Sequence, residues 1–440
     1  MKILLVGINY APDLVGVPKY NTELCEALAD AGHEVRVVTA PPYYPAWQIP
    51  DEHKHLQFCR QSLNGVRVRR VPIYVPGRPG GLKRLLHHLS FAAASAAPLL
   101  RHAVLWRPDV MIAVAPSLMS SALVAITARA VGARSWLHVQ DFEVEAAFDL
   151  GFLRAGRLRR AMIAIERKIL LAFDRVSSIS PQMLNRLGSK GVPRDRIREL
   201  RNWSNVSDIQ TQQRLTSFRT ELGLSDQHFV ALYCGTMSNK QGLELVIEAA
   251  AALEATEPQV QFVLAGAGPY REVLLKLASG RRNVHFLGLQ PNERFSELLA
   301  TADVHLVPQR AEAADLVLPS KLGGIFASGR PLIAMAAQAT GLAKEVETCG
   351  VVIPPGDLPA LARAISELRQ QPDRCRELGA NGRLRSLERW DRKGILDQFV
   401  RELIDMTSVK GRSAIAAGAG APSVPANVRR VGSGVDVPGR

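Results

Sequence analysis

The chain has 440 residues, of which 47% are hydrophobic and 22% charged, and its formal net charge is +14. That length exceeds one compact core and suits two domains with a tail. The positive excess suits an anionic partner (nucleotide, nucleic acid or membrane phospholipid), and the scarcity of aromatics among the basic residues makes nucleic acid the weakest of the three.

The five cysteines, Cys25, Cys59, Cys234, Cys349 and Cys375, are scattered without metal-ligand spacing. Free thiols in a reducing compartment fit this best. The N-terminus runs straight into a strand-like segment rather than a signal peptide. No apolar run reaches the roughly 18–20 residues that span a bilayer. The longest, residues 89–100, is rich in small residues and carries Pro98. A cytoplasmic chain is expected.

Residues 3–8 form a continuous apolar run, as expected of a parallel strand buried on both faces. A loop leads to Gly16. Then Tyr20, Leu24, Ala27, Leu28 and Ala31 share one helical face, with Pro18 in the first turn and Gly32 as the stop. Residues 35–39 are the next strand, so the chain opens with a βαβ unit and a parallel sheet. Gly16 lies where loop meets helix; it either lets a diphosphate approach or merely makes the turn. Residues 41–47, with Tyr43, Tyr44 and Trp47 between prolines, follow the second strand at the ligand-binding end of such a sheet. These rings either stack on a sugar or lipid, or pack the loop down.

Residues 78–107 mix Lys83, Arg84, His87, His88 and Arg101 with Leu82, Leu85, Leu86, Leu89, Phe91, Leu99, Leu100 and Leu105. A basic helix with a leucine face lies on an anionic membrane, or serves as an ordinary domain helix with a solvated basic side. Strands follow at residues 110–114 and 135–139. The second ends in His138, with Asp141 and Glu143 just beyond, where chemistry occurs in open α/β folds. An isolated histidine is as often structural, and no third ligand makes a metal site here. A helix over 161–173, a strand over 176–179 and a helix opening at Ser180-Pro181 complete this half. Residues 201–205 read as the linker.

Strands and helices alternate again in the second half, with strands at residues 229–234, 260–264, 284–287, 304–307, 331–334 and 351–353. Two doubly wound domains in tandem leave a cleft between their sheet ends, a natural nucleotide site. Three strand-to-helix turns bear on it. The first, Gly235 to Glu244, is expected to present free backbone N–H groups, with Thr236 next to the glycine and Lys240 within the turn; the plain alternative is a turn with a surface lysine. The second holds Gly266 and Gly268. In the third, Ser320 is expected to cap a helix with Lys321 in its first turn, a position that disfavours a lysine unless an anion offsets it. Helices over 357–369 and 391–406 follow, and residues 408–440 look disordered.

In this order the motifs resemble the retaining family 4 glycosyltransferases: Gly16 before its helix, Gly32-His33-Glu34-Val35, the His138 strand end, Gly235 to Glu244, Gly266-Ala267-Gly268-Pro269, and Ala327-Ser328-Gly329-Arg330-Pro331. The likeness runs from residue 1 to about 406 and implies the GT-B architecture, two Rossmann-like parallel-sheet domains facing a central cleft. Within the family, Tyr10-Ala11-Pro12, Pro41-Pro42-Tyr43-Tyr44-Pro45, Leu137-His138-Val139-Gln140-Asp141 and Leu318-Pro319-Ser320-Lys321 resemble the fucosyltransferase-type branch of colanic acid synthesis.

The resemblance implies an acceptor-binding domain over 1–201, a nucleotide-sugar domain over 206–390, and a helix over 391–407 crossing back to the first domain. It implies that Gly16, Gly235, Thr236, Gly266, Gly268, Ser320 and Gly324 surround the donor. His138, Lys240 and Lys321 would act catalytically, and Tyr43, Tyr44, Trp47, Lys83 and Arg84 would face acceptor and membrane. It implies no divalent metal. The implied reaction moves a sugar, fucose in that branch, from a nucleotide-sugar to a lipid-linked oligosaccharide at the inner face of the membrane, in exopolysaccharide synthesis. The chain also departs from the family pattern. Thr236 stands where Arg is usual and Gln241 where Lys is usual. The paired glutamates fall on Gly324 and near Leu316. A GT-B nucleotide-sugar epimerase and a non-catalytic nucleotide-binding partner in a polysaccharide assembly complex stay open at this point.

Overall fold

The computed structural model describes residues 1–418 apart from 14–15, 45, 78–79, 143–155, 212–215 and 312–317. The expectations that touched Pro45, Arg78, Glu143 and Leu316 fall outside the described residues.

The first lobe is built on an eight-stranded sheet in the order β3-β4-β2-β1-β5-β6-β7-β8. Its strands are β1 (Lys2–Val6), β2 (Glu34–Thr39), β3 (Arg60–Leu63), β4 (Val66–Arg70), β5 (Val110–Ala115), β6 (Arg134–Val139), β7 (Arg175–Ser178) and β8 (Ile197–Glu199). All pairings are parallel except β3 with β4. Five described α-helices cover it: α1 (Val17–Asp30), α2 (Gly81–Arg101), α3 (Leu118–Val131), α4 (Arg157–Leu171) and α5 (Pro181–Ser189). Helices on both faces explain why β1 and β5 read as unbroken apolar runs: neither face meets water.

The second lobe is a six-stranded, wholly parallel sheet in the order β11-β10-β9-β12-β13-β14. The strands are β9 (Phe229–Cys234), β10 (Val260–Ala265), β11 (Val284–Leu287), β12 (Val304–Val307), β13 (Leu332–Met335) and β14 (Gly350–Ile353). The order reverses between β9 and β12, so the loops after these two strands diverge and open a crevice. Its helices are α6 (Ser217–Glu221), α7 (Glu244–Leu253), α8 (Arg271–Leu277), α9 (Phe295–Ala300), α10 (Leu322–Ala327), α11 (Gly341–Val346), α12 (Leu358–Gln370) and α13 (Pro372–Arg389).

The chain crosses between lobes twice. Going out, Arg201 buries its guanidinium against Glu345, 3.3 Å away. Coming back, Trp390 donates its indole N–H to the same carboxylate, and Arg389 approaches it at 3.3 Å. The two crossings bond to each other: Ser204 N donates to Trp390 O (2.8 Å) and Arg392 N to Ser204 O (3.2 Å). Gly323 exists for this junction, since a Cβ there would overlap the Ser204 hydroxyl and touch Trp390 at 3.0 Å. The last helix, α14 (Arg392–Gly418), then packs on the first lobe. Leu396, Phe399, Leu403 and Met406 bury against Tyr20, Leu24, Trp136 and Trp203. Phe399 meets Trp136 edge-on at 4.8 Å, and Arg198 pairs with Glu402 at 3.0 Å.

Two expectations need correcting here. The final helix does not stop near Met406 but runs to Gly418; residues 419–440 lie outside the description. The sequence reading also missed β3 and β4, whose signal was the Asn64-Gly65 turn. Both residues take positive φ, 46° and 79°, as a two-residue hairpin demands.

Candidate active site

The carboxyl ends of both sheets converge on a cavity of about 330 Å³ between the lobes. Gly16, Val17, Tyr20, Gln140, Asp141, Ile179 and Asn202 line it from the first lobe and linker, and Gln241, Pro308, Gln309, Leu318, Pro319 and Ser320 from the second. Most of these residues follow a strand or open a helix, as the topology of open α/β sheets requires.

Gly16 sits at the start of α1 with φ 77° and ψ −137°, and no side chain caps the helix. The first-turn amides of a helix have no intrahelical partners and carry the positive end of its dipole. Across the cavity, Ser320 does not cap α10. Leu322 N bonds Pro319 O at 3.0 Å, and this turn delays the helix by one residue, so Lys321 occupies the cap position. The Lys321 side chain is half-buried, with Nζ 4.1 Å from the Tyr233 ring centroid. A Cβ on Gly235 would lie 3.6 Å from that Nζ, so Lys321 leans over the Gly235 turn. Burial pulls its ammonium pKa down to about 8, against a small upward pull from Cys234.

The Gly235 turn itself is not the amide cradle expected of it. Parallel pairing continues past the strand ends: Gly235 N donates to Ala265 O (3.0 Å) and Met237 N to Ala267 O (2.9 Å). The α-helix begins only at Glu244. Gly266 and Gly268 are needed for this close pairing, because a Cβ on either would overlap the carbonyl oxygen of Gly235 or Met237. Thr236 is exposed. Lys240 points out from a short 3-10 turn and is exposed, while its neighbour Gln241 reaches the cavity. Gly324 is buried, with its Cβ direction toward Phe295 at 3.3 Å, away from the cavity.

His138 stands one layer behind the cavity wall. It is buried, and burial holds its pKa down to about 3, so the imidazole is neutral. Nδ1 lies 2.9 Å from Ser177 Oγ, and Nε2 lies 2.9 Å from Gln140 Nε2. Gln140, not His138, lines the cavity.

Tyr43, Tyr44, Trp47, Lys83 and Arg84 are not among the residues that line the cavity; the loop that carries the first three meets α2. Tyr43 is buried against Trp47 (5.6 Å between centroids) and His87 (4.7 Å). Arg84 lies over the Trp47 ring at 5.5 Å. Tyr44 and Lys83 are exposed. The leucine stripe of α2 divides: Phe91 and Leu99 enter the core, whereas Leu82, Leu85, Leu86 and Leu89 are each at least 40% exposed on one helical face. No helix among the described residues is long and apolar enough to cross a membrane.

Two residues that the sequence reading passed over hold the site's loops. Arg70, fully buried at the end of β4, donates to Ala40 O (2.8 Å) and Ala11 O, tying the 41–47 loop to the loop before Gly16. Arg310, following β12, donates to Asn239 O (2.7 Å) and pairs with Glu244, fixing the turn that carries Gln241. Only their position in the fold gives either arginine this role.

Two facing doubly wound lobes with a cleft at their strand ends define a GT-B enzyme. Comparison with known proteins agrees. A "Glycosyl transferase 4-like domain" profile matches residues 15–203 and a "Glycosyl transferases group 1" profile matches residues 228–371. The chain belongs to the GT-B glycosyltransferases. It is similar to the putative colanic acid biosynthesis glycosyl transferase WcaI of Escherichia coli K12, with 39% identity over 92% of this chain and 100% of that protein. Among solved structures it resembles a sucrose-phosphate synthase from Thermosynechococcus elongatus (TM-score 0.68, 22% identity, 95% of this chain and 100% of that one). It also resembles the Anabaena protein HepE in complex with UDP (TM-score 0.67, 17% identity, 92% and 100%). At these identities the structural likenesses carry the fold alone.

Proposed function

We propose that the chain is a retaining glycosyltransferase that moves a sugar from a nucleotide-sugar to a lipid-linked saccharide in exopolysaccharide synthesis, working at the inner face of the membrane. The observation that supports this best is that Gly16 and Ser320 line one cavity from opposite lobes, with Lys321 following Ser320 in the chain and its ammonium held over the Gly235 turn. A diphosphate bridging them gains the α1 dipole on one side and a full positive charge on the other. As the glycosidic bond breaks, charge builds on that diphosphate, and fixed positive groups stabilise it as oxyanion donors do elsewhere. No divalent metal is required in this reading, so turnover should persist in excess chelator. The leaving phosphate takes the acceptor proton on the face it departs from, which retains configuration. The likeness to the E. coli colanic acid protein supports the pathway class, and the fucosyl donor is carried by the branch that the sequence motifs resemble. The exposed leucine stripe beside Lys83 and Arg84 supports a membrane-borne acceptor entering past Tyr43, Tyr44 and Trp47.

An epimerase needs acid and base groups from both lobes. The described residues that the second lobe gives the cavity are Gln241, Pro308, Gln309, Leu318, Pro319 and Ser320, none of which titrates near neutrality. Incubation with labelled UDP-, GDP- and ADP-sugars plus membrane lipid extract tests the proposal. Transfer of label into lipid from one donor class is expected, and no transfer from any donor refutes it.

A further inference from the structure

The cavity wall of the first lobe contains a polar atom that the described protein leaves unused. Gln140 is 4% exposed and lines the cavity. Its Nε2 donates both hydrogens, one to His138 Nε2 (2.9 Å) and one to Asn202 Oδ1 (3.0 Å). Its carbonyl Oε1 has no hydrogen-bond partner among the described residues. Because Gln140 lines the cavity, this carbonyl is open to whatever fills it, water or a ligand hydroxyl.

The amide's orientation is set by a chain of bonds that starts in the core. Trp136 Nε1 donates to Ser177 Oγ at 2.8 Å. His138 is neutral, and its Nε2 accepts from Gln140, so its proton sits on Nδ1 and points at the same Ser177 oxygen (2.9 Å). Asn202 Oδ1, on the linker, can only accept, so the Gln140 amide nitrogen faces it, and the other hydrogen of that nitrogen reaches His138 Nε2. Nothing in this line of groups leaves Oε1 free to turn inward.

We propose that Gln140 Oε1 accepts a hydrogen bond from a hydroxyl of the donor sugar and selects for a hydroxylated sugar at that position, with His138 as the positioning residue that aims it. This rests on the glycosyltransferase reading above and deepens it: the diphosphate sites bind any nucleotide, whereas Gln140 reads the sugar. A carbonyl can only accept, so it discriminates a hydroxyl from a deoxy position, and a site built around such a bond rejects the analogue lacking it.

Calorimetric titration separates these claims. Wild-type and Gln140→Met protein are titrated with UDP, UDP-glucose, GDP and GDP-fucose, and the gain in affinity due to the sugar is the ratio of the two dissociation constants for each nucleotide. Gln140→Met should leave nucleoside diphosphate affinity within about twofold while cutting the sugar's gain by about tenfold, the scale of one well-made hydrogen bond. His138→Phe should mimic it, and His138→Gln, which still offers an acceptor to Gln140, should restore most of the gain. Mono-deoxy analogues of whichever nucleotide-sugar binds give a second readout on the wild type, independent of whether any variant folds. One position should cost about tenfold in the wild type and little in Gln140→Met.

An unchanged sugar gain in Gln140→Met, an equal loss for diphosphate and nucleotide-sugar, or no sensitive deoxy position overturns the assignment to Gln140 while leaving the glycosyltransferase reading intact. A wild type that binds neither nucleotide overturns both.

Discussion

Replacing Lys321 by Met should make the nucleotide-free protein more stable and the nucleotide complex weaker. Burial lowers the Lys321 pKa from 10.5 to about 8. At about 1.4 kcal/mol per pH unit, keeping that ammonium charged in the fold costs roughly 3 kcal/mol at neutral pH. The contact with the Tyr233 face, at 4.1 Å, returns about 1 kcal/mol. Lys321→Met should therefore gain about 2 kcal/mol in urea denaturation at pH 7. The sign with pH follows from the proton count. Between pH 8 and 10.5 the unfolded lysine holds a proton that the folded one has shed, so wild-type stability rises with pH across this window. The gap between variant and wild type must close over the same range. A bound diphosphate favours the charged lysine, so wild-type affinity should fall above pH 8, and the variant should bind about 10–100-fold more weakly at pH 7. A variant less stable than wild type at pH 7, or a gap indifferent to pH, would refute this account of the site.

Gly268→Ala forces a Cβ into the Met237 carbonyl oxygen at φ 153°; a loss of about 3 kcal/mol or more is expected in denaturant melts. Arg70→Met removes both donors from Ala11 O and Ala40 O and should cost about 2–4 kcal/mol while speeding amide exchange in both loops. The double variant Leu85→Ser/Leu86→Ser should weaken sedimentation with anionic phospholipid vesicles by about tenfold or more, each leucine contributing about 1 kcal/mol when partly buried in lipid. Lys83→Gln should weaken it less, and that loss should vanish at high salt.

The strands were the most legible part of the chain because doubly covered parallel strands must be apolar throughout; β9, β11 and β12 fall at the residues read from their runs. β4 was hidden because Arg67, Arg69 and Arg70 break its run. Its alternation puts Val66 and Val68 inside, and Arg70 is buried only because two loop carbonyls await it. Helix α3 (Leu118–Val131) is apolar nearly all round, so it offers no amphipathic period to read. At the site, Gly16 and Ser320 were accessible because a helix start is a local event. Gln140 and Asn202 were not. They lie 62 positions apart, and which residue of a strand end reaches a cavity is decided by packing with the neighbouring strand. The glycines at 266, 268 and 323 look like ligand glycines in sequence. In the fold the first two are points where one backbone presses on another, and Gly323 makes room for the Ser204 and Trp390 side chains.

The returning helix gives the molecule an unusual sort of unity. By sequence it is the end of the second lobe; by packing it completes the first, filling the groove beside Tyr20 and Trp136. Severing the chain in the connection after Ile209 would therefore not release two independent halves. One fragment would carry a socket and the other its plug, and the pair should co-purify and reassemble when expressed as separate polypeptides, whereas neither alone would hide its apolar surface.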